Sequence, residues 1–204
     1  NAFRGHTIDE LIHAFQKAGW DKSIGAIVLT GAGDKAFCTG GDQSAHDGQY
    51  DGRGVIGLPV DELQSLIRDL TSASDKAQFG QVGPKVGSVD PGFGTAYLAR
   101  VIGEKRAREI WYLNKRYTAQ QALEWGLANA VVPHEELDAE VDRWVAELME
   151  RSPTALALAK LSFNADSENI RGIGALGMRA LSLYYDTEES KEGGVAFREK
   201  RKPD

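Results

Sequence analysis

The stretch Gly33-Asp34-Lys35-Ala36-Phe37-Cys38-Thr39-Gly40-Gly41-Asp42-Gln43 decides how this chain is read. Before it lies Ile24-Gly25-Ala26-Ile27-Val28-Leu29-Thr30, a short β-branched run that reads as a buried strand. Gly31-Ala32-Gly33-Asp34 breaks that run. After the stretch, residues 38–57 carry Gly40, Gly41, Gly48, Gly52, Gly54 and Gly57 with little periodicity, the signature of a long functional loop.

Further out, Thr7-Ile8-Asp9-Glu10 has the form of a capping box, and Ile8, Leu11, Ile12 and Phe15 continue as a helix to about Lys17. Pro59 opens a second helix with Leu63, Leu66, Ile67 and Leu70 on one face. Residues 80–94 are Gly-rich and loop-like. Beyond them the sequence turns helical to its end. Thr118 with Gln121 caps a short helix that stops at Gly126, and Asn129 to Val132 reads as a brief strand. Ser152-Pro153 is an N-cap and N1 pair for a helix through about Asn164, and residues 172–198 hold two more. The pattern is an αβ front half and a helical back half in one domain, with no internal repeat.

Composition bounds the function. The 204 residues suffice for one domain with a real core, and 42% hydrophobic with 26% charged residues is a globular composition. The net charge of −6 makes nucleic acid a poor partner, since such binding runs on phosphate neutralisation. Cys38 is the only cysteine, so no intramolecular disulfide forms, and a reducing, cytoplasmic setting is expected. No apolar run reaches the ~20 residues that span a bilayer, and no targeting signal is visible. Metal-ligand spacings, a P-loop and a Gly-x-Gly-x-x-Gly turn before a helix are missing from the sequence, so no metal is expected.

The 33–43 stretch resembles the first signature of the crotonase (enoyl-CoA hydratase/isomerase) superfamily. Three more segments narrow the likeness: Phe79-Gly80-Gln81-Val82-Gly83-Pro84-Lys85-Val86-Gly87-Ser88-Val89-Asp90, Ala107-Arg108-Glu109-Ile110-Trp111-Tyr112-Leu113, and Tyr184-Tyr185-Asp186-Thr187-Glu188-Glu189 with the tail Phe197 to Asp204. Together they look like the branch holding 2-ketocyclohexanecarboxyl-CoA hydrolase and 1,4-dihydroxy-2-naphthoyl-CoA synthase. The resemblance implies an α/β spiral of β-β-α units with a C-terminal helical trimerisation region. The core covers about 1–110 and the helical region about 111–204, assembled as a homotrimer or a hexamer (dimer of trimers).

It also implies chemistry on a coenzyme A thioester through a stabilised enolate. The substrate then carries the coenzyme, with no permanently bound cofactor. The hydrolase opens a β-keto ring with water, the retro-Claisen direction. The synthase closes a ring, with bicarbonate as a base in some members. After Gly40-Gly41-Asp42-Gln43 the synthase places two cations where this chain has Ser44 and His46. The loop Gln49 to Pro59, Ser88 to Gly92 and Tyr184 to Thr187 also favour the hydrolase. A third reading is a non-catalytic coenzyme-binding homologue.

Residue roles follow by the same resemblance, each beside a plainer one. The backbone N–H of Gly41 is an oxyanion-hole donor, or Gly41 is a tight turn. Such a donor is worth about 10²–10³ in rate. Asp90 orients or deprotonates the attacking water, or is the Asp of a Pro-Gly turn. Tyr185 protonates or hydrogen-bonds an enolate, or is a core aromatic as Tyr184 is. Tyr50 is a loop aromatic near the substrate, and His46 a solvated loop histidine. Ser88 hydrogen-bonds the substrate or Asp90, and Gly83 leaves room for an anion or a water. Lys35, Ala36, Thr39, Asp42, Gln43 and Lys200 meet the substrate and its coenzyme, with Lys200 on the phosphates or in a solvated tail. Cys38 is a small core residue with no chemical role.

The family's second signature, a strand and a Gly-Gly-Gly turn that opens a buried helix, belongs between the Pro59 helix and the Phe79-Gly80-Gln81 segment. Here Leu70 runs directly into Thr71-Ser72-Ala73-Ser74. A strand–helix unit carrying the second oxyanion donor is therefore expected between Leu70 and Thr71 of the parent protein, and a strand before Asn1.

Overall fold

The computed structural model describes residues 1–41, 69–90 and 94–204. Asp42, Gln43, Ser44, His46, Tyr50 and the helix expected from Pro59 lie outside the described residues.

Helix α1 (Gly5–Trp20) starts two residues before the expected cap. Arg4 occupies the N-cap in an extended conformation with no side-chain cap bond, so the Thr7–Glu10 box is not used. Ile24 to Thr30 forms no strand. Ile24, Ile27 and Val28 are 43%, 49% and 52% exposed. A strand is held by its ladder, and β-branched composition alone does not supply one. The bridge between Phe3 and Gly41, with Phe3 N–H donating to the Gly40 carbonyl at 2.8 Å, is the parallel pairing near this segment.

The second half is built differently. Strand β1 (Ser72–Ser74) pairs in parallel with β4 (Ala130–Val132), Ala73 opposite Val131. Strand β2 (Gln78–Gly80) pairs antiparallel with β3 (Arg116–Thr118), Phe79 opposite Tyr117. The strand β3 was not foreseen, and β4 matches the expected brief strand. Between the pairs run α2 (Gly94–Ile102) and α3 (Glu104–Leu113). They are joined by Gly103 at φ 84°, ψ 150°, a conformation that a side chain makes costly.

Leu98 and Ile102 of α2 pack with Ala107, Ile110 and Trp111 of α3 and with Tyr117 of β3. Tyr117 and Trp125 meet edge-on at 4.8 Å, and the Arg106 guanidinium lies 5.2 Å over the Trp125 ring. Helix α4 (Ala119–Glu124) has the expected capping box. Gln121 N–H donates to Thr118 Oγ1 at 3.2 Å, and Gln121 Oε1 accepts from Thr118 N–H at 3.0 Å. Its Ala119 and Ala122 are fully buried in a cluster with Ala73 and Ala128, flanked by Phe79, Leu127 and Val131.

Four helices follow: α5 (Leu137–Met149), α6 (Pro153–Ala165), α7 (Gly172–Tyr185) and α8 (Glu188–Glu199). Ser152 caps α6 as expected, accepting from Ala155 N–H at 3.3 Å. Helix α6 buries none of its residues, although Leu158, Leu161 and Phe163 are among them. Helix α8 buries Ser190, Gly193 and Ala196, one stripe at i, i+3, i+6, against the 3₁₀ turn Gly83–Val86. No described helix is long and apolar enough to cross a membrane.

Candidate active site

The 83–90 loop connects β2 to α2, and its backbone is shaped by glycine. Gly87 ends the 3₁₀ turn at φ 70°, with its N–H on the Gly83 carbonyl. Ser88 N–H donates to the same carbonyl at 2.9 Å. This double closure turns the chain so that Ser88 faces α7. The Ser88 hydroxyl and the Tyr185 phenol are 2.9 Å apart. The sequence placed Ser88 on the substrate or on Asp90; the fold pairs it with Tyr185.

Burial raises the Tyr185 phenol above its ordinary value of 10.0, and the Ser88 hydrogen bond opposes this only in part. The phenol is therefore protonated at neutral pH and serves as a donor or acid, not as a base. Tyr184, read as core, is half-buried beside it. Burial first, then Glu189, raises its phenol as well.

Asp90 stands at the start of α2. Its carboxylate accepts from Gly94 N–H at 3.2 Å and from Thr95 N–H at 2.7 Å. The helix N-terminus thus holds the charge and fixes the group's direction. Asp90 thus caps the start of α2. A Cβ on Gly94 would come within 3.0 Å of Asp90 Oδ1 and 3.1 Å of Trp111. A Cβ on Gly83 would meet the Ser88 carbonyl oxygen at 3.3 Å and Trp111 at 3.5 Å. Gly83, Ser88, Asp90, Gly94, Trp111 and Tyr185 are therefore one cluster.

Trp111 was missed as a site residue. It is 7% exposed, and its indole Nε1 is buried with no hydrogen-bond partner among the described residues. A buried unpaired N–H costs about 1–3 kcal/mol, which a polar guest would recover. Its signal was the Ala107 to Leu113 segment itself, an indole on a helix face that is otherwise core.

A second cluster forms around Asn1. Lys35, Ala36 and Thr39, all expected at the coenzyme, line one open cleft of about 490 Å³ with Asn1, Ala32, Gly33 and Asp34. The Asn1 side-chain amide donates to the Ala32 carbonyl at 2.8 Å and also to that of Ala36, and Thr39 N–H donates to the Asn1 carbonyl at 2.8 Å. Gly41 belongs to this cluster through its bridge to Phe3. Cys38 is half-buried, and its sulfur accepts from Gly40 N–H at 3.3 Å.

Lys200 lies exposed at the end of α8 in a left-handed conformation, φ 56°. Arg201, by contrast, is locked in place. It donates to Glu192 Oε2 at 2.9 Å and to Glu199 Oε2 at 2.7 Å. These bonds, Arg201 first and then Asp204 N–H, lower the Glu192 carboxyl to about 2. The basic tail is thus partly structural, with Arg201 already paired. No group of three or more His, Cys, Asp or Glu that could hold a metal occurs among the described residues.

Comparison with known proteins places this geometry. The sequence model of the enoyl-CoA hydratase/isomerase family matches residues 1–71 and 63–204. Among solved structures, a carnitinyl-CoA hydratase from Mycobacterium avium aligns over 100% of this chain and 89% of its own, at 25% identity and a TM-score of 0.83. An enoyl-CoA hydratase from Mycobacterium avium subsp. paratuberculosis covers the same shares, at 26% identity and 0.82. An enoyl-CoA hydratase/isomerase from Pseudoalteromonas atlantica, at 21% identity, covers 100% and 90% with a TM-score of 0.85, a likeness of fold alone.

Proposed function

This chain belongs to the enoyl-CoA hydratase/isomerase family and has the crotonase fold of an acyl-CoA-processing enzyme, and within that family we propose that it opens the ring of a cyclic β-keto acyl-CoA, 2-ketocyclohexanecarboxyl-CoA, to pimeloyl-CoA. The observation that carries this reading is that one short loop bears both a carboxylate anchored at the start of α2, Asp90, and Ser88, whose hydroxyl meets the buried phenol of Tyr185.

In the retro-Claisen direction, water adds to the ring ketone carbon. Asp90 orients the water and takes one of its protons. The bond between the former ketone carbon and the α-carbon then breaks, and its electron pair passes to the thioester as an enolate. A proton returns to the α-carbon from Tyr185, which burial keeps protonated at neutral pH and Ser88 holds in place. The new carboxyl group carries the water oxygen. The enolate oxygen is held by the N–H of Gly41, and Lys35, Ala36 and Thr39 seat the coenzyme in their cleft. Asp42, Gln43 and Tyr50 meet the acyl group, and Lys200 the phosphates. A second oxyanion donor comes from the strand–helix unit expected between Leu70 and Thr71. The family match in two stretches that meet at residues 63–71 supports a junction there.

The test supplies 2-ketocyclohexanecarboxyl-CoA and follows pimeloyl-CoA. Absence of product, with naphthoyl-CoA formed from the synthase substrate, would replace the reading by its alternative. That second reading keeps Gly83 in the role the resemblance gives it in bicarbonate-using synthases, near the buried Trp111 Nε1, which has no hydrogen-bond partner among the described residues. Bicarbonate held there would supply a base. Bicarbonate-dependent turnover decides in its favour. Binding of the coenzyme by pulldown, with Asp90→Asn leaving all turnover unchanged, would instead indicate a non-catalytic homologue.

Apolar residues exposed on α6 and α7 support the assembly that the resemblance implies. Leu158, Leu161, Leu176 and Leu183 are each more than half exposed. A trimer, or a dimer of trimers, covers these residues, and light scattering reads the mass.

A further inference from the structure

Tyr185 is the last residue of α7, and a helix end is where side chains wander most. Its phenol nevertheless meets Ser88, 97 residues away in sequence, at 2.9 Å. The contact is closed by a circuit through the start of α8. Thr187 Oγ1 donates to the Tyr184 carbonyl at 2.6 Å, and Thr187 N–H donates to the same carbonyl at 3.0 Å. The Thr187 hydroxyl also accepts from Ser190 N–H at 3.2 Å, capping α8. Ser190 Oγ, in the buried interior, donates to the Gly87 carbonyl at 2.7 Å. Gly87 is bonded to Ser88, and Ser88 returns to Tyr185.

The approach is as close as backbone allows. A Cβ on Gly193 would lie 2.6 Å from Gly87 Cα, and one on Gly87 would lie 2.3 Å from the Ser190 carbonyl oxygen. Such separations leave no slack: a methyl group on either side must move α8 or the 83–88 turn.

We propose that Thr187, Ser190 and Gly193 are positioning residues whose contacts with Gly87 hold the Tyr185 phenol on Ser88. The proposal rests on the role given to Tyr185 under Proposed function. The hydroxyl of Ser190 touches no reacting atom in this scheme. It acts through the turn that carries Ser88.

The test is a kinetic cycle with 2-ketocyclohexanecarboxyl-CoA. Ser190→Ala removes one hydroxyl and keeps a good helix former. It lowers kcat about 10-fold and changes KM less than about 2-fold, a loss confined to the transition state. Gly193→Ala does the same through the steric route. Thr187→Ala loses turnover and Thr187→Ser restores it. In a Tyr185→Phe background none of these changes lowers kcat further, because the group they position is gone. An unchanged kcat in Ser190→Ala, or an equal loss with and without Tyr185, overturns the proposal.

Failure of the functional reading is separable. If Tyr185→Phe turns over at the full rate, a fluorinated tyrosine at position 185 replaces kinetics. Ser190→Ala and Gly193→Ala shift or broaden its ¹⁹F resonance if the latch holds the phenol, and an unaltered resonance rules the latch out. Circular dichroism confirms that each variant keeps its helices.

Discussion

The segment from Ile24 to Thr30 is apolar at five of its seven residues and the segment from Leu98 to Tyr117 at ten of twenty, yet only the second has buried residues. Ile27 is 49% exposed, while Ile110 is 3% exposed. The difference lies in how far each must reach for its partners. Leu98, Ile102, Ile110 and Trp111 bury one another across a two-helix hairpin turned by Gly103, so the packing is local. A single strand buries nothing until neighbours lie on both sides of it. No strand among the described residues pairs with Ile24 to Thr30. The less apolar segment is therefore the buried one, because it closes locally and the other does not.

The sharpest way to break this comparison is amide hydrogen exchange. Amides of α2 and α3 are expected to exchange at least about 10³-fold more slowly than those of residues 24–30, which open without global unfolding. Equal protection would mean that the first segment has a ladder after all. Inserting a strand–helix unit between Leu70 and Thr71 should slow residues 24–30 and leave α2 and α3 unchanged.

A smaller effect tests whether close packing, rather than composition, holds the second region. Gly87→Ala forces a side chain into φ 70° and against Ser190. It should cost about 2–4 kcal/mol in urea unfolding. A cost below about 1 kcal/mol would show that α8 is loosely seated. Smaller again, Thr118→Ala removes the capping box of α4 and should cost about 1 kcal/mol.

The smallest effect is in the tail. Glu192 has its folded pKa depressed to about 2, so its pairing with Arg201 contributes above the ordinary carboxylate value of 4.5. That contribution is lost as pH falls from 4.5 through about 2. Protection of the Arg201 to Asp204 amides should fade in that window, and Glu192→Gln should abolish the pH dependence. Both groups are exposed, so the effect is confined to the tail.

What was legible in the sequence follows the same division. The capping box at Thr118, the N-cap at Ser152 and the last two helices are read from neighbours a few residues apart, and they formed as expected. The crotonase fold was legible because its signatures are short and ordered. Strand Ile24 to Thr30 failed because its stability is non-local, and Thr7 failed as a cap because the helix starts earlier, at Gly5. In the site, Asp90 and Tyr185 were named, and Lys35, Ala36 and Thr39 fell into one cleft. The partner of Ser88 was not legible, since it depends on a contact across 97 residues. Neither was the buried Nε1 of Trp111, because a sequence shows an indole but not whether its N–H has a partner.

The chemistry of Tyr185 also sets an alkaline limit. A phenol raised by burial stays protonated past pH 10.0, so turnover that needs it as an acid should fall only above that value.

The most direct measurement of the ring-opening reading is single-turnover formation of pimeloyl-CoA from 2-ketocyclohexanecarboxyl-CoA by the wild type, Asp90→Asn and Tyr185→Phe. The expected result is ring opening by the wild type and a loss of about 10²–10⁴-fold in each variant, with KM little changed. Wild-type rates in both variants, or no ring opening by any of the three, would contradict the assignment of Asp90 and Tyr185 to an enolate.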